Sequence, residues 1–114
     1  MKIGRREHPG KVVLEIAGAV LLGESGEQLA DALRRELEGG SECVLLELSG
    51  IDYADSTGIG ELVGYLTRFQ DAGKRLVLVN PSERIRQLLR IARLDGLFES
   101  YESLEQALAS KPES

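Results

Sequence analysis

Apolar positions along this chain change their spacing several times, and each change marks an element. From Lys11 to Ala17 the run KVVLEIA reads as a strand, and Met1 to Glu7 reads as an edge strand before a His8-Pro9-Gly10 turn. From about Gly26 to Leu37 the leucines at 29, 33 and 37 share one helix face. Ser25 and Gln28 offer that helix a capping box, and Gly39-Gly40 a stop. Cys43 to Leu48 (CVLLEL) is a continuous apolar run with one charge, as a central parallel strand requires. After Ser49 to Ala54, a second helical face appears at Ile59, Leu62, Val63, Leu66 and Phe69.

The second half repeats the alternation. Gly73 closes a turn, Arg75 to Val79 reads as a buried strand, and Asn80-Pro81-Ser82-Glu83 reads as a helix start with Asn80 as N-cap and Pro81 in the first helical position. Ile85, Leu88, Leu89 and Ala92 form the inner face of that helix. Ser103 and Gln106 repeat the capping pattern, with Leu104, Ala107 and Leu108 docking a last helix, and the polar tail after Ser110 is expected to fray. Strand-helix alternation after an opening hairpin implies an α/β fold: one domain, a mostly parallel mixed sheet with an N-terminal antiparallel strand, and about four packed helices.

Composition narrows the function. At 114 residues and 42% apolar, with only two phenylalanines and three tyrosines, the core must be built from aliphatic side chains. A net charge of −5 argues against a nucleic-acid surface and against an anionic membrane surface, and favours a protein partner. The longest apolar run, Ile16 to Leu22, is far short of a membrane span, so no direct membrane insertion is expected, and a cytoplasmic location is. The lone Cys43 permits neither an internal disulfide nor a cysteine-rich metal site and reads as a small buried hydrophobe, so no metal or cofactor is expected.

The candidate chemistry lies at Asp55-Ser56-Thr57-Gly58, where the strand-like run gives way to the second helix. Unpaired N–H groups and the macrodipole make a helix N-terminus tolerant of negative charge, so a phosphate on Ser56 is compatible with the fold. Ser56 also suits a purely structural N-cap, although Asp55 and Thr57 can fill that position equally well. Gly58 and Gly60 each cost a helix about 1 kcal/mol relative to Ala, which asks for a reason. Either tight packing or a flat docking surface for a partner supplies one.

At these residues the chain resembles the anti-sigma factor antagonists of the STAS family, small domains shared with sulphate transporters. The resemblance runs from about Val12 through Gly18, LLELSGIDYADSTGIGELVGYL, the Gly73 to Val79 segment and RIARLDGLFESYESLEQAL. It implies a single STAS domain over residues 1–110, with 111–114 as tail. It further implies a non-enzymatic regulator that binds a serine-kinase anti-sigma factor when unphosphorylated. Phosphorylation of Ser56 then releases it, and a serine phosphatase resets it. The implied partner surface comprises Asp52, Asp55, Ser56, Thr57, Gly58, Ile59, Gly60 and Glu24. The chain departs from the family pattern after Gly18, where Ala19-Val20-Leu21 stand in place of an expected Asp and Glu24 is the first acid. It departs again at Glu47, where Asp or Asn is common.

Rival readings fare less well. A STAS scaffold or transport accessory subunit would use the same surface without phosphorylation. A dinucleotide fingerprint at Gly58-Ile59-Gly60-Glu61-Leu62-Val63-Gly64 has its third glycine one residue late, and Glu61 would face the pyrophosphate. A serine hydrolase lacks its base, since the sole histidine, His8, falls in the opening turn and the G-x-S-x-G elbow is absent. Asp52, Asp55 and Glu61 share one neighbourhood and leave paired carboxylates open, although a solvated recognition rim is the simpler reading and no substrate pocket is implied.

Overall fold

The computed structural model describes residues 2–20, 24–94 and 96–110, without the side chains of Val20, Glu24, Ser25 and Ser56. The expected tail, 111–114, lies outside the described residues. In chain order the elements are β1 (Lys2–His8), β2 (Lys11–Val20), α1 (Glu24–Glu38), β3 (Cys43–Ala54), α2 (Ser56–Asp71), β4 (Arg75–Val79), α3 (Glu83–Ile91), β5 (Glu99–Tyr101) and α4 (Leu104–Ala109). The strands form one sheet in sequence order. β1 runs antiparallel to β2, and every later pair is parallel. This is the mixed α/β architecture that the spacing predicts.

The sheet is covered unequally, and alternation along the strands shows it. Val44, Leu46 and Leu48 of β3 join Leu14, Leu76 and Leu78 in the main core, with Leu29 and Leu33 of α1, Leu62 and Phe69 of α2, and Ile85 and Leu89 of α3. Cys43 and Leu45 point the other way, with Val13, Val77 and Val79, onto Ala107, Leu104 and Leu108 of α4. The continuous apolar run of β3 therefore reflects two covered faces. Glu47 shares the α4 side by alternation but is only partly buried, and its Oε1 accepts the Ser49 N–H at 2.7 Å. Burial pushes the Cys43 thiol above its ordinary pKa, in keeping with a small core hydrophobe.

Local signals hold at several junctions. Gly73 has φ +74, and the Lys74 N–H reaches back to Phe69 O at 2.8 Å, closing α2. Ser103 caps α4 by accepting the Gln106 N–H. Two capping expectations are corrected. α1 already runs from Glu24, so Ser25 lies inside it and is not its cap. α3 is capped by Ser82, which accepts the Ile85 N–H, and not by Asn80. Asn80 instead takes a left-handed φ of +49, a conformation that asparagine tolerates, while its N–H donates to Tyr101 O at 2.7 Å. This tie to β5 delays the helix by two residues.

The strands also run longer than their apolar patterns suggest. β2 continues past Ala17 to Val20 and β3 past Leu48 to Ala54, with register shifts between Glu15 and Ala17 and between Gly18 and Ala19. Between these pairs β3 spends extra residues against β2, which rotates its side chains. Ile51 and Ala54 thereby enter the core, while Asp52 and Tyr53 turn outward. Gly50 sits at the first shift, where an added Cβ would lie 3.0 Å from Ala17 Cβ and 3.2 Å from Ile16 O. A side chain there would push the two strands apart.

Candidate functional site

β2, β3 and β4 are parallel, so their C-terminal ends share one edge of the sheet. The last pairs of β2 with β3 are Ala19 with Tyr53 and Val20 with Ala54, and the chain enters α2 at Ser56. α1 follows β2 at this same edge, which brings Glu24, its first residue, to the same end of the domain as Ser56. His8 is paired with Lys11, which is in turn paired with Cys43 at the opposite end of β3. The 12-residue length of β3 therefore separates the histidine from Ser56, too far for it to act as a base there.

The cap of α2 is Asp55. Its backbone is extended, its carboxylate accepts the Gly58 N–H at 2.9 Å, and its carbonyl accepts the Ile59 N–H at 3.1 Å. Ser56 is thus the first residue of the helix rather than its cap. Thr57 is exposed on the next position, and Asp52 and Glu61 are exposed on either side of the junction. Of the acidic rim expected from sequence, Asp52 and Glu61 are exposed, whereas Asp55 is half-buried with its carboxylate on the Gly58 N–H.

The glycines divide. Gly58 is buried, whereas Gly60 is exposed, and a Cβ built on Gly60 meets nothing within 4 Å. Close packing within the domain therefore does not explain Gly60. Ile59, expected on the partner surface, is a core residue at 3% exposure, because it continues the inward face of Leu62 and Leu66. The surface left at the junction consists of Asp52, Tyr53, Asp55, Thr57, Gly60 and Glu61.

Two residues here escaped the sequence reading. Tyr53 is 48% exposed, an unusual state for an aromatic ring in a chain with so few. Arg84, in the first turn of α3, brings its guanidinium to 5.8 Å from the Tyr53 ring centre and donates from Nε to Ala54 O at 3.3 Å. The bulges that turn Tyr53 outward have no signature in apolar spacing, and the Arg84 contact joins residues 30 positions apart.

The family profile of the STAS domain matches residues 2–107, nearly the whole chain. The chain belongs to the STAS domain family. It is 31% identical to the anti-sigma-B factor antagonist of Staphylococcus aureus over 78 residues, 68% of this chain and 72% of that one. It is 33% identical over 72 residues to the TM1081 homologue of Thermotoga neapolitana, 63% of this chain, and the match spans 64% of that relative's length. Among solved structures, the Bacillus anti-sigma factor antagonist SpoIIAA in its unphosphorylated form superposes with a TM-score of 0.77 at 18% identity, covering 94% of this chain and 93% of that one. Its phosphorylated form superposes at 0.72 and 18%, covering 94% and 96%. Among the described residues no helix is long and apolar enough to cross a membrane.

Proposed function

We propose that this domain is an anti-sigma factor antagonist working by partner switching. In its unmodified form it binds a serine-kinase anti-sigma factor through the surface around Ser56, which frees the sigma factor. The kinase phosphorylates Ser56, the complex separates, and a serine phosphatase restores the binding form. The observation that carries this reading is the position of Ser56 as the first residue of α2, between the exposed Asp52 and Tyr53 on one side and the side-chain-free Gly60 on the other. The names of the relatives and the two phosphorylation states of the SpoIIAA neighbour support it.

The physical basis is a difference between solvent and interface. A phosphoserine adds about −1.5 to −2 charges, which water accommodates at an exposed helix start. Against a partner surface shaped for a neutral hydroxyl, an unpaired buried charge costs about 2 to 5 kcal/mol, where about 1.4 kcal/mol is tenfold in affinity. The test is incubation with labelled ATP and candidate kinases, followed by titration of both forms with the same partner. Transfer to Ser56 with weakened binding supports the reading. Tight binding with no transfer supports a scaffold or transport accessory role instead.

A further inference from the structure

The helix start that would carry the phosphate already holds a negative group. Asp55 occupies the Gly58 N–H, so a phosphate on Ser56 would be a second anion at the same dipole end, with Asp52 and Glu61 close along the chain. The dipole alone is a weak counterweight to that much charge, and a nearby cation would offset more of it. Among the described residues, Arg84 is a cation that the fold brings to this junction. Its Nε is fixed on Ala54 O at 3.3 Å, two residues before Ser56, whose Cα lies within about 7 Å of that of Ala54.

The other arginines of α3 are differently engaged. Arg90 pairs with Glu83 at 3.3 Å, and Arg86 donates to Pro81 O at 3.1 Å. Among the described residues Arg84 makes no ion pair, and its hydrogen bond to Ala54 O uses one of five donors. Its guanidinium also lies over the face of Tyr53.

We propose that Arg84 is a built-in counter-charge for phosphorylated Ser56, donating paired N–H groups from its guanidinium to the phosphate oxygens. The inference rests on the reading of Ser56 as the phosphoacceptor. Arginine suits the task because its planar fork matches two phosphate oxygens at once, which a lysine ammonium cannot do. Phosphorylation then has two effects at the docking surface: it adds charge beside Gly60, and it draws the guanidinium away from Tyr53. The exposed ring loses its cationic cover in the phosphorylated state. The contact also ties the start of α3 to the start of α2, so the modified surface is locally stiffer than the unmodified one.

The experiment places phosphoserine at position 56 by genetic encoding, which removes any dependence on a kinase, and follows the phosphate by 31P NMR across pH. The second ionisation of phosphoserine lies near pH ~6. Asp52, Asp55 and Glu61, unchanged in all variants, push it upward, and Arg84 pushes it down. The expected result is a phosphate pKa about 1 unit lower in the otherwise native protein than in Arg84→Gln, with Arg84→Lys between them and Arg86→Gln unchanged. The Arg84 Nε–H resonance should move when the phosphate is present. Should Arg84→Gln fold poorly, the Arg84→Lys comparison and the Nε–H shift decide the matter. Equal pKa values in native and Arg84→Gln proteins, or an Nε–H signal unmoved by the phosphate where Arg84→Gln does not fold, would overturn the proposal. Failure of every kinase to modify Ser56, with the pKa difference intact, would instead remove the partner-switching reading and leave the Arg84 contact standing.

Discussion

The carboxylate of Asp55 accepts the Gly58 backbone N–H at 2.9 Å, so the residue before Ser56 already caps the helix that Ser56 begins. This assigns the structural duty and the proposed regulatory duty to adjacent residues. Ser56 can be changed or modified without removing the cap.

Asp55→Ala should cost about 1 kcal/mol of folding stability, because an N–H at the helix start loses its partner. Asp55→Asn should recover most of it. Urea denaturation of the three proteins checks this, and an Ala variant as stable as the parent would show that Ser56 or Thr57 takes over the cap.

Ser56→Ala should abolish kinase-dependent modification while leaving partner affinity and stability nearly unchanged. Phosphopeptide mass spectrometry locates the group. A phosphate found on Thr57 or Ser82, with Ser56 bare, would reassign the acceptor.

Gly60→Leu should separate binding from folding. The added side chain enters open space, and replacing a helical glycine favours the helix by up to about 1 kcal/mol, so the melting temperature should hold or rise. Partner affinity should fall at least about tenfold, or about 1.4 kcal/mol, since the side chain would stand on the docking surface. A drop in melting temperature with normal binding by the folded fraction would show that the glycine serves the fold.

Phosphorylation of Ser56 should leave the domain folded, with a stability change of about 1 kcal/mol or less, because the new charge sits at an exposed junction near Arg84. Amide shift changes should centre on residues 52–64 and on the first turn of α3. Changes spread across the whole sheet would indicate a global rearrangement instead.

The far edge of the sheet supplies a pH test. Arg75 of β4 and Tyr101 both donate to Glu99 of β5, and the Arg75 guanidinium holds the Glu99 carboxyl below its usual pKa. Its contribution to stability is therefore fully present above the ordinary glutamate value of about 4.3 and is lost as the pH falls through the lower folded-state value. Glu99→Gln should destabilise the domain at pH 7 and have progressively less effect in acid. Denaturant midpoints at pH 7 and near pH 3 check the sign, and an equal loss at both would exclude the ion pair as the cause.

Much of the fold is legible in the chain because it rests on local periods. Leu29, Leu33 and Leu37 mark α1, Ile59 to Phe69 mark α2, and CVLLEL marks a strand covered on both faces, because a helix or strand repeats its inward positions whatever it packs against. Gly73 and Ser103 are legible for the same reason, since a left-handed turn and a cap each require a particular residue within a few positions. The junction at Asp55-Ser56-Thr57-Gly58 follows from one strand pattern ending where a helical one begins.

Other features were decided only in three dimensions. Glu99-Ser100-Tyr101 has no apolar alternation and becomes β5 by pairing with β4. That pairing draws in Asn80 and moves the α3 cap to Ser82. The shifts of β3 against β2 put Ile51 inside and Asp52 outside, against simple alternation. Arg84 reaches Ala54 only because α3 packs at the C-terminal end of β3. By itself, the sequence determined the helices, the strands that carry an apolar period and the serine at one of their junctions, because those depend on neighbours along the chain. The tertiary structure decided the surroundings of that serine, because they are assembled from strand registers and helix docking between residues far apart in sequence.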